Sequence, residues 1–237
     1  NKLLAIATHI HPTSDNGYIV SGTTESYGYG GSDIWLIKFN QNGLMEWNKT
    51  YGSINNETGG NGIETADGGF LVIGNIDRQG NGDNDIWLIK TNSQGDSVWT
   101  RTYGGEEFDE GADIILTDDN GYVVLGSTKS FGEGESDIWI IKADSSGNEE
   151  WSKTYGNGSD DKGQYILKTY DGGYIIRYII NSFGDGNTSV GLLRINQNGQ
   201  EIWTKTIGGS TGITGASFEK ISTVINITFL EVEEIRG

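Results

Sequence analysis

Hydrophobic residues in this chain occur in short runs that are separated by turns rich in Gly, Asn and Asp. The clearest stretch predicts four β-strands, called a, b, c and d, at residues 111–117, 122–127, 137–142 and 150–155. Residues 118–121 and 144–147 are predicted turns, because Asn, Asp and Gly tolerate positive φ and bond their own backbone. No long stripe of period 3.6 is present, so the pattern favours an all-β fold.

Strand c is apolar on both of its faces. Ile138 and Ile140 point to one side of the strand, and Trp139 and Ile141 point to the other. A strand that is apolar on both faces has to be covered on both sides. The pattern therefore predicts that each sheet is packed between two similar sheets.

The same pattern returns every 52 residues along the chain. The turn motif Asp-(Asn/Gly)-Gly-(Tyr/Phe) occurs at 15–18, 67–70, 119–122 and 171–174. The strand-c run Asp-Ile-Trp-(Leu/Ile)-Ile-Lys occurs at 33–38, 85–90 and 137–142, with a degraded copy at 189–194. A constant period without insertions indicates that each copy does the same structural job.

Four-stranded sheets that are buried by their own copies are the blades of a β-propeller. The sequence predicts one propeller domain over residues 1–237, with blades at about 7–52, 59–104, 111–156 and 163–208 and an incomplete fifth blade at 215–237. We expect residues 1–6 to close the fifth blade, with residues 2–8 added to the sheet formed by residues 215–232, because an open blade leaves unpaired strand edges. The alternative is that the chain is a fragment of a longer propeller whose other blades cover that edge.

The combined motif, roughly DGGYIV, DIWLIK and WxKTYG, resembles the β-propeller repeats of a family of secreted and cell-surface proteins of prokaryotes. The resemblance covers about residues 7–208. Strand d and the turn before it are also similar to the tryptophan-docking motif of quinoprotein-type propellers, in which a turn acid, a Gly and a Trp lock neighbouring blades. The resemblance implies an extracellular or cell-envelope location and a non-catalytic binding or structural role. It supports the fold rather than a quinone cofactor.

Tryptophans recur at two positions of the repeat. They are Trp35, Trp87 and Trp139 in strand c, and Trp47, Trp99, Trp151 and Trp203 in strand d. Aromatic side chains bury large areas and dominate cores. Both sets are therefore predicted to be structural residues between blades rather than platforms for sugar stacking.

The composition excludes several classes of protein. The chain carries 33 Asp and Glu against 16 Lys and Arg, a net charge of −17, which argues against a nucleic-acid partner. It contains no Cys, so a disulfide framework, a zinc ribbon and a thiol nucleophile are excluded. No run approaches the roughly 18 apolar residues of a membrane span, so membrane insertion by this segment is not expected.

Acidic residues lie among glycines in the loops between strands b and c, at 80–85 and 132–137. Calcium needs several oxygen ligands from a loop that curls around it, and these loops offer some of them. The EF-hand order of acids is missing, and the matching loops of the first and fourth units hold only Asp33 and Asp185. We expect solvated turns and no cofactor, with calcium in these acidic loops as the alternative.

Two further groups of residues are interpreted as structural. His9 and His11 would share one face of a strand and could bind a metal, but no third ligand is visible, so a terminal strand relaxed from core packing is preferred. Two acidic groups precede strand a in the third and fourth units, and a solvated surface is preferred to a glycosidase pair for both. They are Glu106, Glu107, Asp109 and Glu110, and Asp160 with Asp161.

The favoured function is a non-enzymatic binding or scaffold module, outside the cell or at its surface, that has no catalytic residues and binds a protein or a glycan. The alternatives are a carbohydrate-binding, lectin-like propeller and a glycan-active hydrolase. An enzyme would bring two or three polar residues that do not repeat into one pocket at the mouth of the channel. The fourth unit departs most from the others, with Tyr178 where they have Gly and with Arg177 beside it.

Overall fold

The structure is a computed structural model that describes residues 4–133, 135–156, 160–180, 189–207, 219–221 and 224–226. The regular elements of these residues are β-strands. In chain order they are β1 (Ala5–Pro12), β2 (Tyr18–Thr24), β3 (Asp33–Phe39), β4 (Met45–Tyr51), β5 (Glu57–Glu64), β6 (Phe70–Ile76), β7 (Asp85–Thr91), β8 (Ser97–Tyr103), β9 (Asp109–Leu116), β10 (Tyr122–Thr128), β11 (Asp137–Ala143), β12 (Glu149–Tyr155), β13 (Asp161–Lys168), β14 (Tyr174–Ile180), β15 (Ser189–Ile195), β16 (Glu201–Ile207), β17 (Glu219–Ile221) and β18 (Val224–Asn226). Within these residues no helix is long and apolar enough to cross a membrane.

Each of the first four repeat units folds into one antiparallel sheet of four strands. The orders are β1-β2-β3-β4, β5-β6-β7-β8, β9-β10-β11-β12 and β13-β14-β15-β16. The predicted all-β propeller with four-stranded blades is therefore confirmed. Within the predicted fifth blade, β17 pairs with β18 in antiparallel register, and the rest of that blade lies outside the described residues.

The core lies between neighbouring blades, as the two-faced pattern of strand c predicts. Ile138 and Ile140 join the cluster shared by the third and fourth blades. Trp139 and Ile141 join the cluster shared by the second and third blades. The second and third blades are thus each buried on one face by the blade before and on the other by the blade after.

The tryptophans of strand d contact the next blade along the chain. A Cβ atom on Gly147 would lie 2.8 Å from the ring of Trp99, and one on Gly199 would lie 2.9 Å from the ring of Trp151. Trp47 lies in the same way against Gly95, which is in the turn that precedes strand d of the second blade. The docking contact therefore joins the Trp of one blade to the turn Gly of the following blade.

The strand-c tryptophans have different surroundings in the three blades. Trp139 is 4% exposed and packs between the second and third blades. Trp87 is half-buried against the core of the first two blades. Trp35 is half-buried and lies 5.9 Å from the ring of Tyr27, and Trp203 of strand d is also half-buried.

A buried cation closes each hairpin between strands a and b. Lys38, at the end of strand c, donates to Asp15 of the turn at 2.8 Å, and Lys90 donates to Asp67 at 2.8 Å. Arg194 replaces the lysine in the fourth blade and pairs with Asp171. The Asp of the Asp-x-Gly turn and the cation one residue before the end of strand c, 23 positions apart, thus form one structural unit.

The first strand, β1, pairs within the first blade. Ala5 pairs with Thr24 and Ile6 pairs with Thr23, inside the first sheet. Residues 5–8 therefore belong to the first blade, and most of the predicted partner sheet, residues 215–232, lies outside the described residues, so the closure stays a prediction. Strand a begins two residues before its predicted start in the second and third blades as well, at Glu57 and Asp109. The prediction missed these positions because a hydrophobic pattern does not mark a strand that begins with an acid.

Candidate functional site

The first strands of the four blades form the inner wall of the propeller. β1 contacts β5, β5 contacts β9, and β9 contacts β13. One position of this wall carries four different polar residues, 52 residues apart, namely His9, Asn61, Asp113 and Tyr165. This variety contrasts with the tryptophans, which are the same in successive blades.

Hydrogen bonds connect two of these residues, Asn61 and Asp113, and the nearby His11 across the blades. Nε2 of His11 lies 2.7 Å from Oδ1 of Asn61, and Nδ2 of Asn61 donates to Oδ1 of Asp113 at 2.7 Å. The backbone N–H groups of Ile114 and Ile166 also donate to the carboxylate of Asp113, at 2.8 and 3.0 Å. Asp113 is therefore bonded to the second, third and fourth blades. We call His9, His11, Asn61, Asp113 and Tyr165 the channel cluster.

The interior position changes the acid–base properties of the channel cluster. Asp113 is 2% exposed, and this burial raises its pKa, against the opposing effect of its hydrogen bonds and of His9. Burial lowers the pKa of His9, and the charge of His11 lowers it further, whereas Asp113 raises it. Burial and the charge of Asp113 raise the pKa of Tyr165. Burial therefore favours the uncharged form of His9.

Beside the channel cluster, charged residues of the third and fourth blades line an open pocket of about 420 Å³. Glu110, Lys162, Gln164 and Arg177 are among its lining residues. Like the channel cluster, these residues do not repeat. Arg177, for example, stands where the other units have Ser21, Ile73 and Leu125. The pocket and the channel cluster therefore bring the polar departures from the repeat into one region.

His9 and His11 lie on a strand that is largely exposed, as expected of one relaxed from core packing, but the two histidines are more buried than their neighbours. β1 is the inner strand of the first blade, and both histidines are half-buried. Nδ1 of His9 is buried without a hydrogen-bond partner among the described residues. A strand that looks like a polar terminus in the sequence therefore supplies two residues of the channel cluster.

The acidic residues before strand a are only partly at the surface. Glu106 and Glu107 are exposed, as predicted. Asp109 and Asp161 are 0% and 3% exposed, so the prediction of a solvated surface is wrong for these two. They begin strands β9 and β13 at the junctions between blades.

The acids of the glycine loops are only partly solvated: Asp33, Asp85 and Asp137 are 1 to 7% exposed, so the prediction of solvated turns is wrong for these three. Asp77 accepts hydrogen bonds from the N–H groups of Gly80, Asn81 and Gly82 at 2.6 to 3.2 Å. Asp83 is exposed and accepts from the side chain of Asn81. No three His, Asp or Glu side chains converge as metal ligands anywhere in the part of the chain that the structure describes.

Comparison with known proteins supports the fold. No protein-family profile and no curated protein sequence matches the chain. The chain is similar in structure to the endo-arabinase of Bacteroides thetaiotaomicron VPI-5482, with a TM-score of 0.52, 10% identity, and coverage of 88% of this chain and 82% of that one. A eukaryotic initiation factor aligns over 84% of this chain and 55% of its own, with 10% identity and a TM-score of 0.33.

Sequence reasoning missed three members of the channel cluster, namely Asn61, Asp113 and Tyr165. Each stands in a predicted strand a, and a single polar residue in one strand does not by itself indicate a functional site. A comparison of the units position by position would have found them, because this position is polar in all four units and different in each. Only the tertiary structure shows that the four side chains lie in one region.

Proposed function

We propose that this protein is a non-enzymatic, carbohydrate-binding propeller that binds its ligand at the channel cluster. The observation that carries the proposal is that His9, Asn61, Asp113 and Tyr165 take the same position of the inner wall and share a network of interactions. Positions with a purely structural role, such as the docking tryptophans, keep one residue type from blade to blade. A set of four different polar residues is instead typical of a ligand site.

The chemistry of the cluster fits a ligand rich in hydroxyl groups. Imidazole, amide and phenol groups both donate and accept hydrogen bonds, as sugar hydroxyls do. Tyr165 is half-buried and adds a ring face beside these polar groups. The neighbouring pocket adds Glu110 and Lys162, which can bond further hydroxyls. Concave sites with a few convergent polar groups are the usual form of small-ligand sites.

A binding role without catalysis is supported by the bonding of Asp113. Both of its oxygens already accept hydrogen bonds, from Asn61, Ile114 and Ile166. A carboxylate held in this way orients its neighbours and is poorly placed to exchange a proton with a ligand. We place the protein outside the cell or in the cell envelope, with a surface glycan as its partner. This location rests on the resemblance of the repeats to secreted and cell-surface propellers.

A glycan-active hydrolase is the second candidate, and one observation favours it. The channel cluster is a convergence of polar residues that do not repeat, which is the pattern an enzyme requires. Asp113 has a raised pKa and lies near His9. A carboxylic acid kept protonated by burial can act as a general acid. An endo-arabinase is a glycan-active enzyme, and its structure is similar to this chain in fold.

A glycan array followed by calorimetry tests the proposal. We expect the chain to retain one class of glycan, and Tyr165→Ala to weaken its binding by about tenfold, the loss of roughly one polar contact. The matched control is Tyr170→Ala, because Tyr170 is 74% exposed in the turn after the same strand. Release of reducing sugar from the bound glycan, lost in Asp113→Asn, would decide for the hydrolase. Absence of binding to any glycan would reject both candidates.

A further inference from the structure

A pair of buried acids marks three junctions between blades. Strand c of one blade begins with Asp, and strand a of the next blade begins with Asp or Glu. The pairs are Asp33 with Glu57, Asp85 with Asp109, and Asp137 with Asp161, and these six residues are 0 to 7% exposed. In each pair the backbone N–H of the second acid donates, at 2.7 Å, to the carbonyl of the residue before the first. The acids are therefore held together by the fold.

The two carboxylates of a pair meet beside the glycine that follows strand d. A Cβ atom on Gly52 would lie 2.0 Å from Oδ1 of Asp33 and 2.6 Å from Oε2 of Glu57. At the third junction, a Cβ atom on Gly156 would lie 1.8 Å from Oδ1 of Asp137 and 3.2 Å from an oxygen of Asp161. A side chain at either glycine would displace the acids. The repeat therefore keeps a glycine where two carboxylate oxygens come close together.

The second junction contains its own positive charge. The guanidinium of Arg78 donates to Oδ2 of Asp85, with Nε at 2.9 Å. Ser26 and Ser130 stand at the equivalent positions of the first and third units. Among the described residues no Lys or Arg pairs with Asp33, Glu57 or Asp137. Asp33 and Asp137 thus lack the arginine that pairs with the equivalent Asp85 at the second junction.

One oxygen of each of these aspartates is left open. Oδ2 of Asp33 accepts the N–H of Tyr29 at 3.0 Å, and Oδ2 of Asp137 accepts the N–H of Glu133 at 2.7 Å. Oδ1 of both residues is buried without a hydrogen-bond partner in the part of the chain described. A buried carboxylate is costly unless it is paired or coordinates a metal.

We propose that calcium binds at the first and third junctions, between Asp33 and Glu57 and between Asp137 and Asp161, in the role that Arg78 has at the second. Hard cations prefer oxygen ligands, and calcium accepts carboxylates, backbone carbonyls and water at flexible geometry. Each pair supplies two carboxylates, and carbonyls and water complete the shell. The ion neutralises the two acids and joins one blade to the next. This role is independent of ligand binding in the channel.

Metal titration of the full chain tests the proposal. The protein is freed of metal with EDTA and transferred to metal-free buffer, and calcium chloride is added during calorimetry and thermal unfolding. We expect two binding sites per chain and a rise in Tm of about 5 °C at saturation. Magnesium at the same concentration should give a smaller rise, because it requires a stricter octahedral shell. Absence of binding heat and of a Tm shift would overturn the proposal.

Variants locate the sites. Asp33→Asn combined with Glu57→Gln should leave one site, whereas Asp85→Asn, at the junction that contains Arg78, should leave two. Ser26→Arg provides a second route if the acid variants do not fold, because Ser26 is exposed and the new arginine copies Arg78. It should raise the Tm of the metal-free protein and leave one calcium site. Two sites in both Ser26→Arg and the Asp33 variant would place calcium elsewhere and overturn the assignment.

Discussion

Trp99 of the second blade packs on Gly147 of the third, and the hydroxyl of Tyr103 in the same strand donates to the carbonyl of that glycine at 2.7 Å. Equivalent hydrogen bonds join Tyr51 to Gly95 and Tyr155 to Gly199. One glycine in each of these turns therefore receives both an indole and a phenol from the blade before it. This contact explains why the Trp and Tyr of WxKTYG repeat together.

Gly147→Ala should destabilise the protein more than Gly43→Ala. The two glycines hold the same position of the repeat and have φ of +74° and +73°, so both substitutions carry the same backbone strain. A Cβ atom on Gly147 would lie 2.8 Å from Trp99, whereas one on Gly43 has no atom within 4 Å. We expect an additional loss of about 1–3 kcal/mol for Gly147→Ala, the usual cost of overpacking. Urea denaturation measures it, and equal losses would contradict the docking contact.

Trp99→Ala should remove about 3–5 kcal/mol from the free energy of unfolding, the usual cost of emptying a large aromatic core site. Trp151→Ala should behave alike, because its ring packs on Gly199 in the same way. Val98→Ala is the control, since Val98 lies next to Trp99 and is 62% exposed. Chemical denaturation measures the difference. A loss below about 1 kcal/mol for either tryptophan would show that docking does not hold the blades together.

Tyr103→Phe should lower stability by about 1 kcal/mol, the net contribution of one hydrogen bond. Burial also raises the pKa of Tyr103, so its neutral form is favoured in the folded state. The stabilisation is therefore complete below the unfolded pKa of about 10 and is lost as the pH rises above it. Between pH 8 and 11 the Tm should fall less steeply with rising pH for Tyr103→Phe than for the parent protein. Tyr170→Phe, at an exposed position, is the control, and its Tm should fall with pH as steeply as that of the parent protein.

Asp67→Asn should reduce the loss of stability in acid. Burial alone would raise the pKa of Asp67, but hydrogen bonds from Lys90, Thr65 and Gly69 outweigh it and lower the pKa to about 2. A carboxylate with a lowered folded pKa stabilises the protein above its unfolded pKa, and this contribution is lost as the pH falls from about 4 to about 2. Across that pH range the Tm of Asp67→Asn should fall less steeply with decreasing pH than the Tm of the parent protein. Glu106→Gln, at an exposed position, is the control, and its Tm should depend on pH as that of the parent protein does.

The blade could be predicted from the sequence because its determinants are local. The turn residues, the alternation of Ile138 and Ile140 with Trp139 and Ile141, and the period of 52 residues all lie within one or two units. They determine four strands, their order and the burial of both faces. They also place the docking tryptophans at the edge of each blade, although not the glycine that receives each one.

The tertiary structure decided what the acids and the channel residues do. Asp109 is hydrophilic and sits in an acidic run, yet it is buried because the start of its strand lies against the second blade, where its N–H donates to the carbonyl of Asn84. Asn61 and Asp113 are 52 residues apart and bond each other only because successive inner strands lie side by side. A repeat pattern describes what the units share. The channel cluster consists of residues that differ between the units. They form a cluster only because the folded blades place their inner strands side by side.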